Sequence, residues 1–264
     1  MFTKKINKKI ESIEKENLLG ICLMGSYSRN EAGKFSDIDI VCFSKGKIRD
    51  TEVLMITGKY LAISYVQDNE VEDWFTKPEL ITEVLYGLTK LIPIWDTKNY
   101  LENLKKKAIS FEWNNELQVK INEYVNRELT LLIEEVNKGI QGLFSKDNGR
   151  LLNSIFGLSH LLFKIICVQK KVFIKSDNTK YEQVLSIYEQ YPQTVELMKK
   201  VFGEIPIKLE NRVEAGLRLF KIISTEFKEE MDIKTLKMIR ETNTSINWII
   251  ENKKIQQPTM RKTQ

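Results

Sequence analysis

Residues 25–39 of the chain read GSYSRNEAGKFSDID, and this stretch decides the fold of the N-terminal half. The apolar run before it, Leu19–Met24, predicts a short buried strand that ends at Gly25. The run Ser36–Phe43 is rich in β-branched residues and predicts a second strand. The polar residues 27–34 between the two strands predict a short helix or a loop.

The same stretch carries the residues that point to chemistry. Gly25 lets backbone approach a ligand closely, and Ser26 adds a hydroxyl where backbone N–H groups at a turn or helix start meet phosphate oxygens. Arg29 lies one turn later and can place a guanidinium on the same anion. Asp37 and Asp39 are two residues apart on the predicted strand, so their carboxylates share one face. Paired carboxylates are suitable ligands for Mg²⁺. Enzymes of phosphoryl and nucleotidyl transfer use Mg²⁺ bound between carboxylates and phosphates.

A plain structural explanation exists for each feature. Gly25-Ser26 is then an ordinary turn, and the two aspartates lie on a solvated strand face. Gly, Ser and two Asp at this fixed spacing are expected by chance on the order of a few times in a thousand chains of this length. The pattern therefore favours the functional interpretation.

The rest of the N-terminal half alternates between helix and strand patterns. Pro78 predicts the first turn of a helix that ends near Lys90. Pro93 would confine a nearby strand to the edge of a sheet. The other predicted elements are an amphipathic helix in residues 2–18, a hairpin of Val53–Thr57 and Tyr60–Val66, and a strand in Leu91–Trp95.

The second half follows a different pattern. From about Ser110 to Glu251 apolar residues recur at helical spacing, and only Val172–Ile174 has a strand-like composition. Breaks at 139–149, 175–179, 191–192, 203–206 and near residue 231 predict about five helices in a bundle. The sequence thus predicts an N-terminal α/β domain in residues 1–109, an all-helical domain in 110–252 and a flexible basic tail in 253–264.

Composition mainly excludes functions. Lys and Arg number 41 and Asp and Glu 36, and a net charge of +5 is too small an excess to indicate a nucleic-acid-binding protein. A single histidine, His160, excludes a multi-histidine zinc site. The widely spaced Cys22, Cys42 and Cys167 predict reduced thiols and a cytoplasmic location. No uninterrupted apolar run reaches the roughly 18 residues that span a bilayer, so no membrane association is expected.

The Gly25-Ser26 pair, Arg29 and the SDID sequence of Ser36–Asp39 after a short strand resemble the nucleotidyltransferase signature of the DNA polymerase beta superfamily. The small size and the helical second half resemble the bacterial aminoglycoside (kanamycin-type) nucleotidyltransferases within it. The resemblance implies an α+β N-terminal domain, with a mixed sheet and flanking helices, followed by an all-α helical bundle. It also implies Mg²⁺, a nucleoside triphosphate that is usually ATP, attack of a substrate hydroxyl on the α-phosphate, and release of pyrophosphate.

The resemblance assigns roles to individual residues. Gly25 and Ser26 would hold the β- and γ-phosphates, Arg29 would offset charge on the departing pyrophosphate, and Asp37 and Asp39 would hold Mg²⁺. Relatives in the antibiotic-modifying group can build the active cleft between two subunits, which makes a homodimer an expectation.

One departure from the family concerns a third carboxylate on a later strand. Ungapped comparison places Ile63 or Ser64 there, and neither is a base or a strong metal ligand. In antibiotic-modifying relatives a glutamate of the helical domain can act as base, which makes Glu135 a candidate catalytic residue, although Glu134 and Glu135 also fit a solvated helix face. The nearby acidic residues considered as substitutes are Glu52, Asp68, Glu70, Glu134 and Glu135.

Three functions remain open at this point. The first is an Mg²⁺-dependent nucleotidyltransferase that moves AMP to a hydroxyl of a small molecule, an aminoglycoside or related antibiotic being the leading acceptor. The second is a nucleotidyltransferase that acts on a protein or a tRNA. The third is a catalytically silent nucleotide-binding or regulatory module, which the missing carboxylate motivates.

Overall fold

The structure is a computed structural model that describes residues 2–46 and 50–255. The chain divides into two compact units. Unit 1 comprises Met1–Leu117 and Phe173–Thr179, and unit 2 comprises Gln118–Val172 and Lys180–Gln264. The domain boundaries predicted from sequence stay predictions. The predicted tail lies outside the described residues from residue 256 onward.

A five-stranded mixed sheet forms the centre of unit 1, as predicted. Its spatial order is β3-β4-β2-β1-β5, with β2 and β4 parallel and every other neighbouring pair antiparallel. The strand that contains Pro93 lies at an edge, where a missing N–H is tolerated. The strands are β1 Leu18–Met24, β2 Ile38–Ser44, β3 Glu52–Ile56, β4 Lys59–Gln67 and β5 Ile92–Asp96.

The helices of unit 1 begin where the local sequence signals them. Thr3 caps the first helix by accepting a hydrogen bond from the Ile6 N–H, and Pro78 occupies the first turn of the fifth. The hairpin between β3 and β4 turns at Thr57 and Gly58, both at positive φ. The helices are α1 Lys4–Glu11, α2 Gly25–Ser28, α3 Asp68–Val71, α4 Asp73–Thr76, α5 Pro78–Lys90 and α6 Tyr100–Ile109.

The two faces of the sheet bury different clusters of side chains. On one face, called the α1 face, Ile40 and Ile63 pack with residues of α1. On the other, called the α5 face, Cys22 and Phe43 pack with residues of α5 and α6. Because successive side chains of a strand point to opposite faces, Asp39, next to Ile40, belongs to the α5 face.

The second half of the chain is helical, as predicted, but it contains six α-helices among the described residues rather than five. The break predicted in residues 139–149 is confirmed and falls at residues 146–147, because the helix runs through Gly139 to Ser145. A Cβ at Gly139 would lie 2.6 Å from Ser154 Oγ and 3.1 Å from Val213 Cγ1, so this glycine permits close helix packing rather than a turn. The helices are α7 Asn115–Ser145, α8 Asn148–Gln169, α9 Asp177–Ile187, α10 Pro192–Phe202, α11 Leu209–Glu226 and α12 Ile233–Ile255, with a 3₁₀ turn at Lys228–Glu230.

The strand-like residues Val172–Ile174 form no strand. Instead the Ile174 N–H donates to the Thr82 carbonyl of α5 at 2.8 Å, and the Phe173 ring stacks on Trp113 with centroids 6.0 Å apart. Phe173 also packs against the α5-face core of unit 1. Apolar composition at this point therefore reflects packing onto a helix and not pairing in a sheet.

One helix of unit 2 is apolar enough to cross a membrane by length and composition alone. It is α8, and 56% of its most apolar window is buried inside the protein. The apolar residues of α8 do not form one uninterrupted run, because polar residues lie between them. A core helix passes the same test, and α8 contributes buried side chains that include Leu158, Leu162 and Ile166. The predicted cytoplasmic location stays a prediction.

We expect the three cysteines to be unreactive in the folded protein. All are buried, and burial together with the neighbouring Cys42 raises the pKa of the Cys22 thiol to about 12. The thiolate is the reactive species, and at pH 8 about one Cys22 thiol in ten thousand is ionised. Titration with a chromogenic disulfide reagent at pH 8 should detect almost no reaction before denaturant is added and three thiols after it. Rapid reaction of a thiol in the native protein would contradict this packing.

Candidate active site

The site is organised by a close contact between Gly25 and Asp39. Met24, the last residue of β1, pairs with Asp39 of β2, and Gly25 follows at φ +66°. A Cβ built on Gly25 would lie 1.9 Å from Asp39 Oδ2. Only glycine combines this left-handed backbone with so close an approach to a carboxylate. Gly25 thus brings the backbone against Asp39.

Ser26 presents a buried hydroxyl that lacks a partner. Its Oγ has no hydrogen bond to any part of the chain that the structure describes, and it is shielded from solvent. The backbone around it is held by two hydrogen bonds, from the Glu31 N–H to the Ser26 carbonyl at 2.9 Å and from Ser28 Oγ to the Gly25 carbonyl at 2.9 Å. A buried hydroxyl without a hydrogen bond lowers the stability of the folded protein, unless a ligand oxygen accepts a hydrogen bond from it. Because α2 is one turn long, this hydroxyl and not a helix terminus is the relevant feature.

The two aspartates lie side by side but in different settings. Asp39 is half-buried within β2, whereas Asp37 is exposed and precedes the first residue of the strand, a correction to its predicted place on it. Burial and then the nearby Asp37 carboxylate raise the pKa of Asp39, and the Arg29 guanidinium partly opposes them. The ionised form of Asp39 is therefore disfavoured first by burial and then by the neighbouring negative charge. A bound cation would favour the ionised form.

Arg29 is held beside this charge. Its Nε donates to Glu31 Oε2 at 2.7 Å, and the side chain is only 10% exposed. The loop that continues from it is held by Lys59, whose Nζ donates to the Lys34 carbonyl at 2.6 Å. The guanidinium of Arg29 is therefore held in place near Asp39.

β4, the strand in which sequence comparison expects a third carboxylate at Ile63 or Ser64, carries no carboxylate beside Asp39. In the parallel register Asp39 lies opposite Ala62, and Ser64 is the next β4 residue on the same face. Ile63, one of the two positions inferred from sequence, points to the α1 face and is fully buried in its core. Sequence comparison without register could not separate these positions.

The nearby acids considered as substitutes lie elsewhere in unit 1. Glu52 is opposite Ile63, on the α1 face, and accepts from Lys9 Nζ at 2.7 Å. Asp68 accepts from the Tyr100 hydroxyl at 2.7 Å just past the end of β4. It is six residues beyond Ala62, about 20 Å along an extended strand. Glu70 lies further on, in α3. These acids do not join Asp37 and Asp39.

Glu135 belongs to unit 2 and is set into the surface of α8. Its side chain is 19% exposed, and a Cβ at Gly157 would lie 2.6 Å from Glu135 Cγ. Lys138 Nζ donates to Glu135 Oε1 and also reaches Glu134 Oε1, both at 2.8 Å. Glu134 is 75% exposed, and its pKa is lowered by the hydrogen bond from Lys138. The assignment of Glu135 as base stays a prediction.

The residues at the site fit Mg²⁺ only together with a phosphate ligand. Among residues 2–46 and 50–255, no group of three or more His, Cys, Asp or Glu side chains is arranged to hold a metal ion. Asp37 and Asp39 supply two hard oxygen donors, and Mg²⁺ is commonly bound by one or two carboxylates plus substrate phosphates. The unpartnered Ser26 hydroxyl beside them fits an oxygen-rich anion of that kind.

The class of protein follows from comparison with known families. The family model described as "Nucleotidyltransferase domain" matches residues 3–138, which is more than half of the chain and includes the whole site built above. The chain therefore belongs to the nucleotidyltransferase domain family.

Two further comparisons were made, with solved structures and with curated proteins. The crystal structure of a nucleotidyltransferase-like protein from Exiguobacterium sibiricum 255-15 is similar to this chain with a TM-score of 0.48 and 13% sequence identity, covering 95% of this chain and 79% of that one. Nothing in the family assignment depends on it. A search of curated proteins finds no match.

We expect Gly25→Ala to destabilise the protein more than Gly58→Ala. Both glycines have positive φ, so both variants incur about 1–2 kcal/mol of left-handed backbone strain. Gly58 faces open space, whereas a methyl group at Gly25 collides with Asp39. The collision should add about 1–3 kcal/mol to the loss in unfolding free energy, measured by urea titration. Equal losses in the two variants would contradict the contact.

Ionised Asp39 should destabilise the ligand-free protein. Its pKa is raised on folding, so its contribution to stability is present below the ordinary aspartate pKa and is lost as pH rises through the higher folded value. Asp39→Asn should therefore melt above wild type near pH 8, and the difference should shrink towards about pH 4. Melting temperatures with a chelator present test this. A difference that is independent of pH, or that grows on acidification, would count against it.

Proposed function

We propose that the protein transfers a nucleoside monophosphate from a nucleoside triphosphate, with ATP the expected donor, to a hydroxyl group of a small molecule. The observation that carries the proposal is the buried, unpartnered Ser26 hydroxyl next to the contact between Gly25 and the Asp39 carboxylate. A phosphate oxygen would accept a hydrogen bond from that hydroxyl. The neighbouring carboxylates would hold the cation that accompanies a triphosphate.

Each residue then has a definite task. Ser26 donates its hydroxyl hydrogen to a β- or γ-phosphate oxygen, and Gly25 lets the backbone approach the same phosphates. Arg29 offsets the charge that develops on pyrophosphate as it departs. Asp37 and Asp39 would hold Mg²⁺, which would supply positive charge to neutralise the phosphates.

The reaction balances as a simple displacement. The acceptor hydroxyl oxygen forms a bond to the α-phosphorus, and the bond from that phosphorus to the bridging oxygen of the β-phosphate breaks. Pyrophosphate leaves with the bond's electron pair, and the hydroxyl proton passes to a base. Glu135 is the base that the resemblance to antibiotic-modifying enzymes suggests. A homodimer, a cytoplasmic location and a role in antibiotic resistance belong to the same proposal.

The alternative is a silent nucleotide-binding module, and one observation favours it. Ala62 is the β4 partner of Asp39 and Ser64 is the next residue on that face, so β4 adds no carboxylate to Asp37 and Asp39. This alternative predicts binding of Mg²⁺ and nucleotide without turnover.

Asp37→Asn and Asp39→Asn should each lower the rate of nucleotide transfer by about 100-fold or more. Each substitution removes a carboxylate charge that would hold the cation bound to the phosphates. Ser26→Ala should weaken nucleotide binding by about 10- to 100-fold, the value of a hydrogen bond to a charged group. The measurement is transfer of α-labelled ATP to a panel of aminoglycosides, lincosamides and simple glycosides, with Mg²⁺ varied, alongside calorimetric nucleotide binding.

Ser28→Ala is the matched control for Ser26→Ala, because the Ser28 hydroxyl is satisfied by the Gly25 carbonyl. It should bind nucleotide like wild type. Binding of Mg²⁺ and ATP with no transfer to any small molecule, protein or tRNA would establish the silent module. Activity that survives both aspartate substitutions would refute the proposed site.

Glu135→Gln should lower kcat with little change in the KM for ATP, and Glu134→Gln is its control. Both glutamates contact Lys138, so both variants remove an ion pair with that lysine. Only Glu135→Gln also removes the proposed base. A general base contributes about 10²- to 10⁴-fold to the rate. Equal kcat values for the two variants would remove Glu135 from the mechanism.

A further inference from the structure

We propose that the acceptor carries an apolar surface next to its reacting hydroxyl, and that Val53, Met55 and Tyr60 bind that surface. These residues lie on the β3–β4 hairpin beside the two aspartates. The inference rests on the proposed function and specifies the class of acceptor for that same site. It departs from the expectation of a polycationic aminoglycoside.

The register of the sheet places these residues next to the carboxylates. One row across the α5 face runs from Met24 of β1 through Asp39 and Ala62 to Val53 of β3. In the adjacent row Met55 lies directly opposite Tyr60. Tyr60 precedes Leu61, the partner of Ile38, as Asp37 precedes Ile38. Val53 therefore continues the row that contains Asp39, and Met55 and Tyr60 form the next row, on the side of the sheet where Asp37 precedes β2.

The direction of the reaction places the acceptor on this side. Gly25 and the unpartnered Ser26 hydroxyl lie on the β1 side of Asp39, where the leaving pyrophosphate would be held. In phosphoryl transfer the attacking and leaving oxygens are roughly in line with the phosphorus between them. The acceptor hydroxyl therefore approaches from the opposite side of Asp39, which is the side of β4 and β3.

The surface on that side is apolar and open. Val53, Met55 and Tyr60 are 60%, 57% and 55% exposed. The charged residues of the hairpin strands, Glu52 and Lys59, point to the α1 face, and Glu52 is paired there with Lys9. Within β3 and β4 the α5 face thus offers a cationic acceptor no carboxylate, and it offers an apolar acceptor three exposed side chains. Burying the exposed apolar part of these side chains against a ligand is favourable.

The test compares acceptors that share hydroxyl groups and differ in apolar surface. Octyl β-glucoside, below its micelle-forming concentration, is compared with methyl β-glucoside and kanamycin, with saturating ATP and Mg²⁺. We expect octyl β-glucoside to exceed both in kcat/KM by about tenfold or more. Met55→Gln should raise the KM for octyl β-glucoside by about tenfold and leave the KM for ATP unchanged.

Ile94→Gln is the matched control variant. Ile94 is also an exposed apolar residue, 43% exposed, and lies in β5 at the other edge of the sheet. It should leave both KM values unchanged, and gel filtration should show the same oligomeric state for both variants and wild type. A preference for kanamycin or methyl β-glucoside overturns the inference while leaving the proposed function intact. Loss of a dimer in Met55→Gln with an unchanged acceptor KM also overturns it, since the hairpin surface is then a subunit contact.

Failure of the proposed function gives a different result. Transfer is then absent with every acceptor, and Asp39→Asn and wild type behave alike. Absence of transfer in a protein that still binds ATP through Ser26 also rejects the acceptor inference.

Discussion

The contact between the Gly25 backbone and the Asp39 carboxylate is the constraint on which the site depends. It exists because β1 and β2 are antiparallel neighbours, so that the end of one strand meets the beginning of the other. The positive φ at Gly25 turns the chain at once into α2, and that turn buries the Ser26 hydroxyl beside the aspartates. The unpartnered Ser26 hydroxyl and the Asp39 carboxylate therefore arise from one pair of strand ends.

Charge around this contact is not balanced by the residues of the site. The ionised Asp39 is disfavoured by burial and by Asp37, and Arg29 offsets only part of that. Arg29 is itself paired with Glu31, so the site keeps a local excess of negative charge. A site built to be stable alone would have neutralised it. The residual charge and the unpaired hydroxyl are the kind of local inconsistency expected where a cation and an anion bind together.

Much of unit 1 could be predicted from sequence because its signals are local. Proline at the start of α5, the hairpin turn at Gly58 and the alternation in β2 each act within a few residues. What failed depended on contacts between distant residues. The position of the break within residues 139–149 was not predicted, because Gly139 packs on Ser154 of another helix, and Phe173 joins a core more than fifty residues away in sequence. The aspartates and Ser26 could be found from spacing alone, whereas the identity of the β4 residue beside Asp39 required the register.

That register gives the missing carboxylate a physical meaning. An acidic residue at Ala62 or Ser64 would add a third negative charge next to Asp39, whose pKa is already raised. With small uncharged residues there, the same face continues without charge to Val53 at the sheet edge. In the proposed reaction this uncharged surface lies on the side from which the acceptor approaches. The hydroxyl proton would then pass to a group outside β4, and apolar contact rather than charge would select the acceptor.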